Sequence, residues 1–93
     1  MSTITPPAES EILNRLIRPE SPTLSVPVAK AVLSIQFDDE DRARMRRLAE
    51  KARDGSLTTA EQEEIAVYER IGSFLGLLQS KARSSLRAAG LEP

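Results

Sequence analysis

The sequence predicts an all-α fold: a helical hairpin with a long C-terminal helix, closed by two short N-terminal helices. Three observations carry this. Helical periodicity runs almost unbroken from Thr58 to about Ala89. Proline and glycine punctuate the chain at Pro19, Pro27 and Gly55, where helices stop or start. Acidic clusters, DDED (Asp38 to Asp41) and EQEE (Glu61 to Glu64), stand where carboxylates favour the positive end of a helix. The chain has 93 residues, enough for one domain. Residues 1–8 read as a disordered tail of Ser, Thr and Pro, and 9–93 as a single small helical domain.

The first helix spans about Glu9 to Arg18, with Ser10 as its N-cap and Ile12, Leu13, Leu16 and Ile17 at helical spacing. Pro19 stops it, because proline disfavours helix in the residue before it. A loop dense in proline and serine follows. Ser25 or Val26 opens the second helix, with Pro27 in its first turn, where a missing N–H costs nothing. Its β-branched residues make a strand the alternative. Ala29, Lys30 and Ala31 break the strict alternation a strand requires, which favours helix.

Asp38 or Asp39 caps the third helix, whose apolar stripe is Met45, Leu48, Ala49 and Ala52. Gly55 ends it in the left-handed conformation common after helices. Thr58 and Glu61 have capping-box spacing and open the last helix. That helix is about 31 residues, or roughly 46 Å at 1.5 Å per residue. The third helix is half as long, so the C-terminal half of the last one outruns its hairpin partner. Ile65, Tyr68, Ile71, Gly72, Leu75, Leu78, Ala82 and Leu86 share one broad face, with Phe74 at its margin; this face reads as core.

Composition narrows the function. There is no cysteine and no histidine. That removes thiolate metal sites, the commonest zinc ligand and the commonest general base. No catalytic residue, metal or cofactor is expected. A carboxylate-only metal site at Asp38 to Asp41 is the one enzyme-like alternative, and first-turn acidic clusters without loop geometry are a weak signal for it. Net charge is -1, so the whole molecule does not attract nucleic acid or anionic lipid. No basic region precedes an apolar run at the N-terminus, and no apolar segment approaches the ~20 residues that span a membrane. The expected compartment is the cytoplasm.

What remains is binding. The centre of the last helix, IGSFLGLL (Ile71 to Leu78), is apolar on nearly every side, whereas a helix wetted along one face carries a polar back. More protein than one short helix must cover it, which implies a protein partner or a homo-oligomer. Leu77 points away from the core face, ringed by small residues, as a knob for a partner's groove. Gly72 and Gly76 permit close approach, Phe74 adds area, and Gln79 stands in an apolar seam, where a polar residue either fixes register or bonds to a nearby loop backbone. Lys81 and Arg83 steer an acidic partner. The alternative is nucleic-acid binding by the basic third helix, through an outer stripe of Arg44, Arg47 and Lys51. Arg42, Arg46 and Arg53 flank the other side, and this split distribution fits a solvated helix better than a phosphate-tracking face. The chain's two Phe and one Tyr supply no aromatic interleaving for base stacking.

Residues from about Leu16 to Leu86 resemble an uncharacterised family of small helical bacterial proteins. The text carrying the resemblance is IRPE (Ile17 to Glu20), LSIQF with DRARM (Leu33 to Met45), LAEKARDGSLTTAEQEEI (Leu48 to Ile65) and YERIGSFLGLLQSKARSSL (Tyr68 to Leu86). Its most specific part is Tyr68, Gly72, Leu75, Gln79, Ser80, Lys81, Ala82 and Arg83. Such proteins are often encoded beside an HNH-nuclease-like protein, as first member of a small gene pair. The resemblance thus implies an antitoxin-like or regulatory partner of an HNH-type nuclease. Gly76 and Leu77 fall outside the family pattern, and the partner-knob reading there rests on local physics alone.

Overall fold

The computed structural model describes residues 8–91. The expected tail, 1–8, lies outside them except for Ala8. Four helices follow in order: α1 (Glu9–Ile17), α2 (Val26–Leu33), α3 (Asp39–Arg53) and α4 (Thr59–Ala88). The fold is all-α, with a long C-terminal helix as its spine.

The helix ends are written in local chemistry. Ser25 Oγ accepts from the Val28 N–H, and Pro27 occupies the first turn of α2. Asp38 Oδ1 accepts from the Asp41 N–H at 2.9 Å. Thr58 and Glu61 exchange side-chain and backbone bonds in a complete capping box. Gly55, at φ 70°, closes α3: its own N–H reaches Ala52 O and that of Ser56 reaches Lys51 O. This is the glycine-dependent Schellman closure. Gly90 closes α4 in the same way, through Arg87 O and Leu86 O. One cap differs from expectation. Ala8, not Ser10, precedes α1 and offers no side-chain bond; Ser10 lies inside the helix, its carbonyl accepting from the Asn14 side chain.

Packing around α4 is uneven. The tightest region is at its C-terminal end, where α2 crosses it. Ala29 and Ala82 are fully buried there with Leu86, and Leu24, Val26, Val32 and Leu33 close around them. Two alanines in contact let the helix axes come close. Buried Ser85 accepts the Leu24 N–H at 3.1 Å, so the chain entering α2 is tied to α4. On another side lies α1, running parallel to α4. Its Glu9 and Leu13 border Arg70 and Ser73, while its last carbonyls, Ile17 O and Arg18 O, accept from Lys81 Nζ. At the N-terminal end, α3 folds back along α4 with Leu48 as its one buried side chain.

The core face expected on α4 is closed only at its end. Ala82 and Leu86 are buried, whereas Ile65, Tyr68, Gly72, Leu75 and Leu78 are half-buried and Ile71 is exposed. The Cα radius of gyration is 17.0 Å, against about 12 Å for a compact domain of this length. The molecule is a flat, spread body of 50 × 47 × 16 Å. Its surface, 6760 Å², exceeds the roughly 5,300 Å² of a compact monomer of this mass.

Candidate protein-interaction face

Helical spacing divides α4 into sectors. Glu61, Glu64, Tyr68, Leu75, Gln79, Ala82 and Leu86 face α3 and α2. Arg70, Ser73, Leu77 and Lys81 face α1. Between these sectors runs a third row, Val67, Ile71, Phe74 and Leu78, spaced 4-3-4 like the seam of a coiled coil. Among the described residues, none covers Val67, Ile71 or Phe74, while Leu78 is half-buried. Val67 is 43% exposed, Ile71 50% and Phe74 42%, large values for side chains in the middle of the longest helix.

The reason is the brevity of the flanking elements. The segment joining α2 to α3 leans against one side. Ile35, Phe37, Asp38 and Asp41 form the wall there, and Ile71, Phe74, Leu75 and Leu78 the floor, of an open groove of about 460 Å³. On the other side, Glu9 and Leu13 of α1 border a second groove of about 310 Å³, which shares Ile71 and Phe74. These two residues are therefore a ridge between two grooves, with neither wall tall enough to cover them. Both walls add apolar surface. Ile35 is 49% exposed, and on α1 Ile12 is 47% and Leu16 75% exposed. Ser10 and Leu13 border Ala66 and Ser73 on one flank of α1; helical spacing then sets Ile12 and Leu16 on the opposite flank, toward Phe74.

The wall at Asp38–Asp41 is fixed. Tyr68 Oη donates to Asp41 Oδ1 at 2.7 Å, and its ring meets Phe37 edge-on at 5.9 Å between centroids. The bond to the Asp41 carboxylate raises the Tyr68 phenol above its usual range, since a phenolate there would face a second anion. Asp38 caps α3 and Asp39 pairs with Arg42. Among the described residues, no group of three or more acidic side chains gathers as metal ligands do, and no helix is long and apolar enough to cross a membrane.

The seven residues read from the sequence as partner-binding do not form one surface. Phe74 alone stands on the exposed row. Leu77 is half-buried, not a free knob, because α1 occupies its sector. Gln79 is consumed inside the chain: its Nε2 donates to Ile35 O at 2.8 Å and Val32 O at 3.4 Å, closing the carboxyl end of α2. Lys81 is likewise committed to the carbonyls ending α1. Gly76 and Arg83 are exposed on the side of α4 away from Phe74. A Cβ at Gly72 or Gly76 would meet nothing within 4 Å, so no backbone among the described residues makes use of either gap.

The basic residues of α3 are also rearranged. Arg44 and Lys51 turn inward to α4. Arg44 holds Glu64 through two bonds of 2.8 Å, the bidentate geometry suited to guanidinium and carboxylate. Lys51 Nζ reaches Glu61 at 2.6 Å. Lys51 and the Thr58 N–H together hold the Glu61 carboxyl at about 2, far below its ordinary value, and Arg44 lowers Glu64. Only Arg47 of the expected outer stripe stays exposed. The stripe fails because two of its three members face carboxylates of the neighbouring helix.

Sequence reasoning missed Val67, Ile71, Ile35, Ile12 and Leu16 as exposed apolar residues. The 4-3-4 spacing on α4 was the available signal; broad apolarity hid it, because core and surface rows are both hydrophobic here. No family model matches the chain, and neither a curated protein nor a solved structure matches it.

Proposed function

We propose that this chain is a non-catalytic helical interaction protein that binds another protein chain through the middle of α4. One observation carries the reading: Ile71 and Phe74 lie open on the central helix between two walls of mixed apolar and acidic side chains, with exposed Val67 one turn away. Together with Ile12, Leu16 and Ile35 they expose roughly 600 Å², at or above the upper end for the largest apolar patch of an ordinary monomer. Leaving such a face wet is costly. Covering it returns about 25 cal/mol per Å².

The resemblance to proteins encoded beside HNH-nuclease-like products adds a candidate partner, with this chain as the antitoxin-like regulator. The site residues for that role are then Ile71 and Phe74, with Val67 and Ile35 beside them. Gln79 and Lys81 support it only by holding the two walls in place. Nucleic-acid binding by α3 is the weaker reading, since Arg44 and Lys51 neutralise their own helix pair and leave a dispersed remainder. The test is co-expression with the product of the neighbouring reading frame. A stable complex that survives Arg47→Ala but is lost in Ile71→Asp supports the proposal. A complex indifferent to Ile71→Asp, or duplex-DNA binding lost on Arg47→Ala, overturns it.

A further inference from the structure

We infer that the occupant of the exposed α4 row is a second copy of this chain, packed antiparallel across a two-fold axis near Gly72 and Ser73. This rests on the reading of α4 as an interaction face and names what covers it.

The first argument is the symmetry of the row. A 4-3-4 spacing reads the same in both directions. A two-fold axis between positions 72 and 73 sets Ile71 opposite Phe74 of the second copy and Val67 opposite Leu78. Isologous contacts require such self-complementarity. The second is charge. The first half of α4 carries Glu61, Glu63, Glu64 and Glu69 against Arg70, while its last third carries Lys81, Arg83 and Arg87 and no acid. Glu64 is already held by Arg44, and Lys81 by the carbonyls ending α1, so antiparallel packing gains from the opposed fields of the acidic start and basic end of α4 and not from new ion pairs. Parallel packing would stack glutamates on glutamates and align the helix dipoles unfavourably. The third is area. Roughly 600 Å² on each copy, if fully covered, buries at most about 1,200 Å² together, the lower end of the range of stable specific interfaces. The walls fit the arrangement as well, because Ile12 and Leu16 on α1 border the space that the second α4 would fill.

Two measurements on the full chain test this. Light scattering at tens of micromolar should give twice the 10.2 kDa of one chain, and Ile71→Asp should weaken association about 100-fold with helical content unchanged. The chain has no cysteine, so Arg87→Cys takes a single spin label at an exposed site remote from the axis. In the antiparallel dimer the two labelled positions lie about 43 Å apart along the helices at 1.5 Å per residue. In a parallel dimer they lie within about 25 Å, one interhelical spacing plus the label arms. A dimer with the long separation supports the inference, even if Ile71→Asp should prove unable to fold. A dimer with the short separation, or one unaffected by a folded Ile71→Asp, overturns it. A chain that is monomeric at hundreds of micromolar, yet held by the neighbouring gene's product through Ile71, also overturns the second copy while leaving the interaction reading intact.

Discussion

Replacing Phe74 with serine separates an interaction residue from a core residue. Serine and phenylalanine have similar helix propensities, so the helix itself is little changed. Full burial of a phenylalanine contributes about 3 kcal/mol. Phe74 is 42% exposed in the single chain, so little more than half of that contribution is realised, about 1.5 kcal/mol. The partners that remain on its open side are water, and no sealed cavity forms when the ring is removed. A core phenylalanine would instead cost about 3–5 kcal/mol on truncation. Association should respond the other way. An aromatic at the centre of an interface contributes about 2 kcal/mol or more, roughly 30-fold in affinity. The assay is urea unfolding by far-ultraviolet circular dichroism at about 1 μM, beside light scattering of the same samples at rising concentration. The account expects a modest loss of stability and a large loss of association. A stability loss above ~3 kcal/mol with association unchanged would place Phe74 in a closed core and refute the reasoning.

Three further outcomes follow from the contacts inside the chain. Gln79→Leu removes the donor that closes α2, and the freed carbonyls are near enough to water to limit the cost to about 0.5–1.5 kcal/mol; urea unfolding with amide exchange should show α2 loosening first, and unchanged α2 protection would contradict the assignment. Glu61 and Glu64 have folded pKa values below their unfolded ones, so their stabilisation is complete above about pH 4.5 and is lost as pH falls toward 2. The urea midpoint should therefore drop across that window, less so in Glu61→Gln; a midpoint flat to pH 2 would remove the ion pairs from the account. Arg44→Ala should lower the melting temperature and leave duplex-DNA affinity unchanged, and a steep salt-dependent affinity that falls with Arg44 or Arg47 would restore the nucleic-acid reading.

Helix limits were legible because they are local. Thr58 with Glu61, Asp38, Ser25 before Pro27, and Gly55 each act on backbone within four residues, so sequence alone locates them. Ala8 was not legible, since it caps by default where no side-chain oxygen stands in place. The candidate site was legible only in part. That the middle of the last helix holds more apolar surface than the chain covers could be read from IGSFLGLL. Which residues stay open could not, because that depends on where α1 and the α2–α3 segment come to rest. Leu77 and Phe74 look alike in a helical wheel until α1 takes one sector and leaves the other. Gln79, Lys81, Arg44 and Lys51 tell the same lesson for polar groups. Their partners are 10 to 64 residues away, and no local pattern announces that a long side chain is already engaged.

Solvent accessibility of single side chains, followed by paramagnetic relaxation from a soluble probe as the chain is concentrated, reaches the central claim most directly. In dilute solution the Val67, Ile71 and Phe74 side chains should relax as strongly as surface groups, while Leu48 and Leu86 stay shielded; on concentrating, or on adding a partner, the first three should become shielded as well. If Ile71 and Phe74 are as protected as Leu86 at the lowest concentration measured, one molecule covers its own central helix, and no docking face exists there.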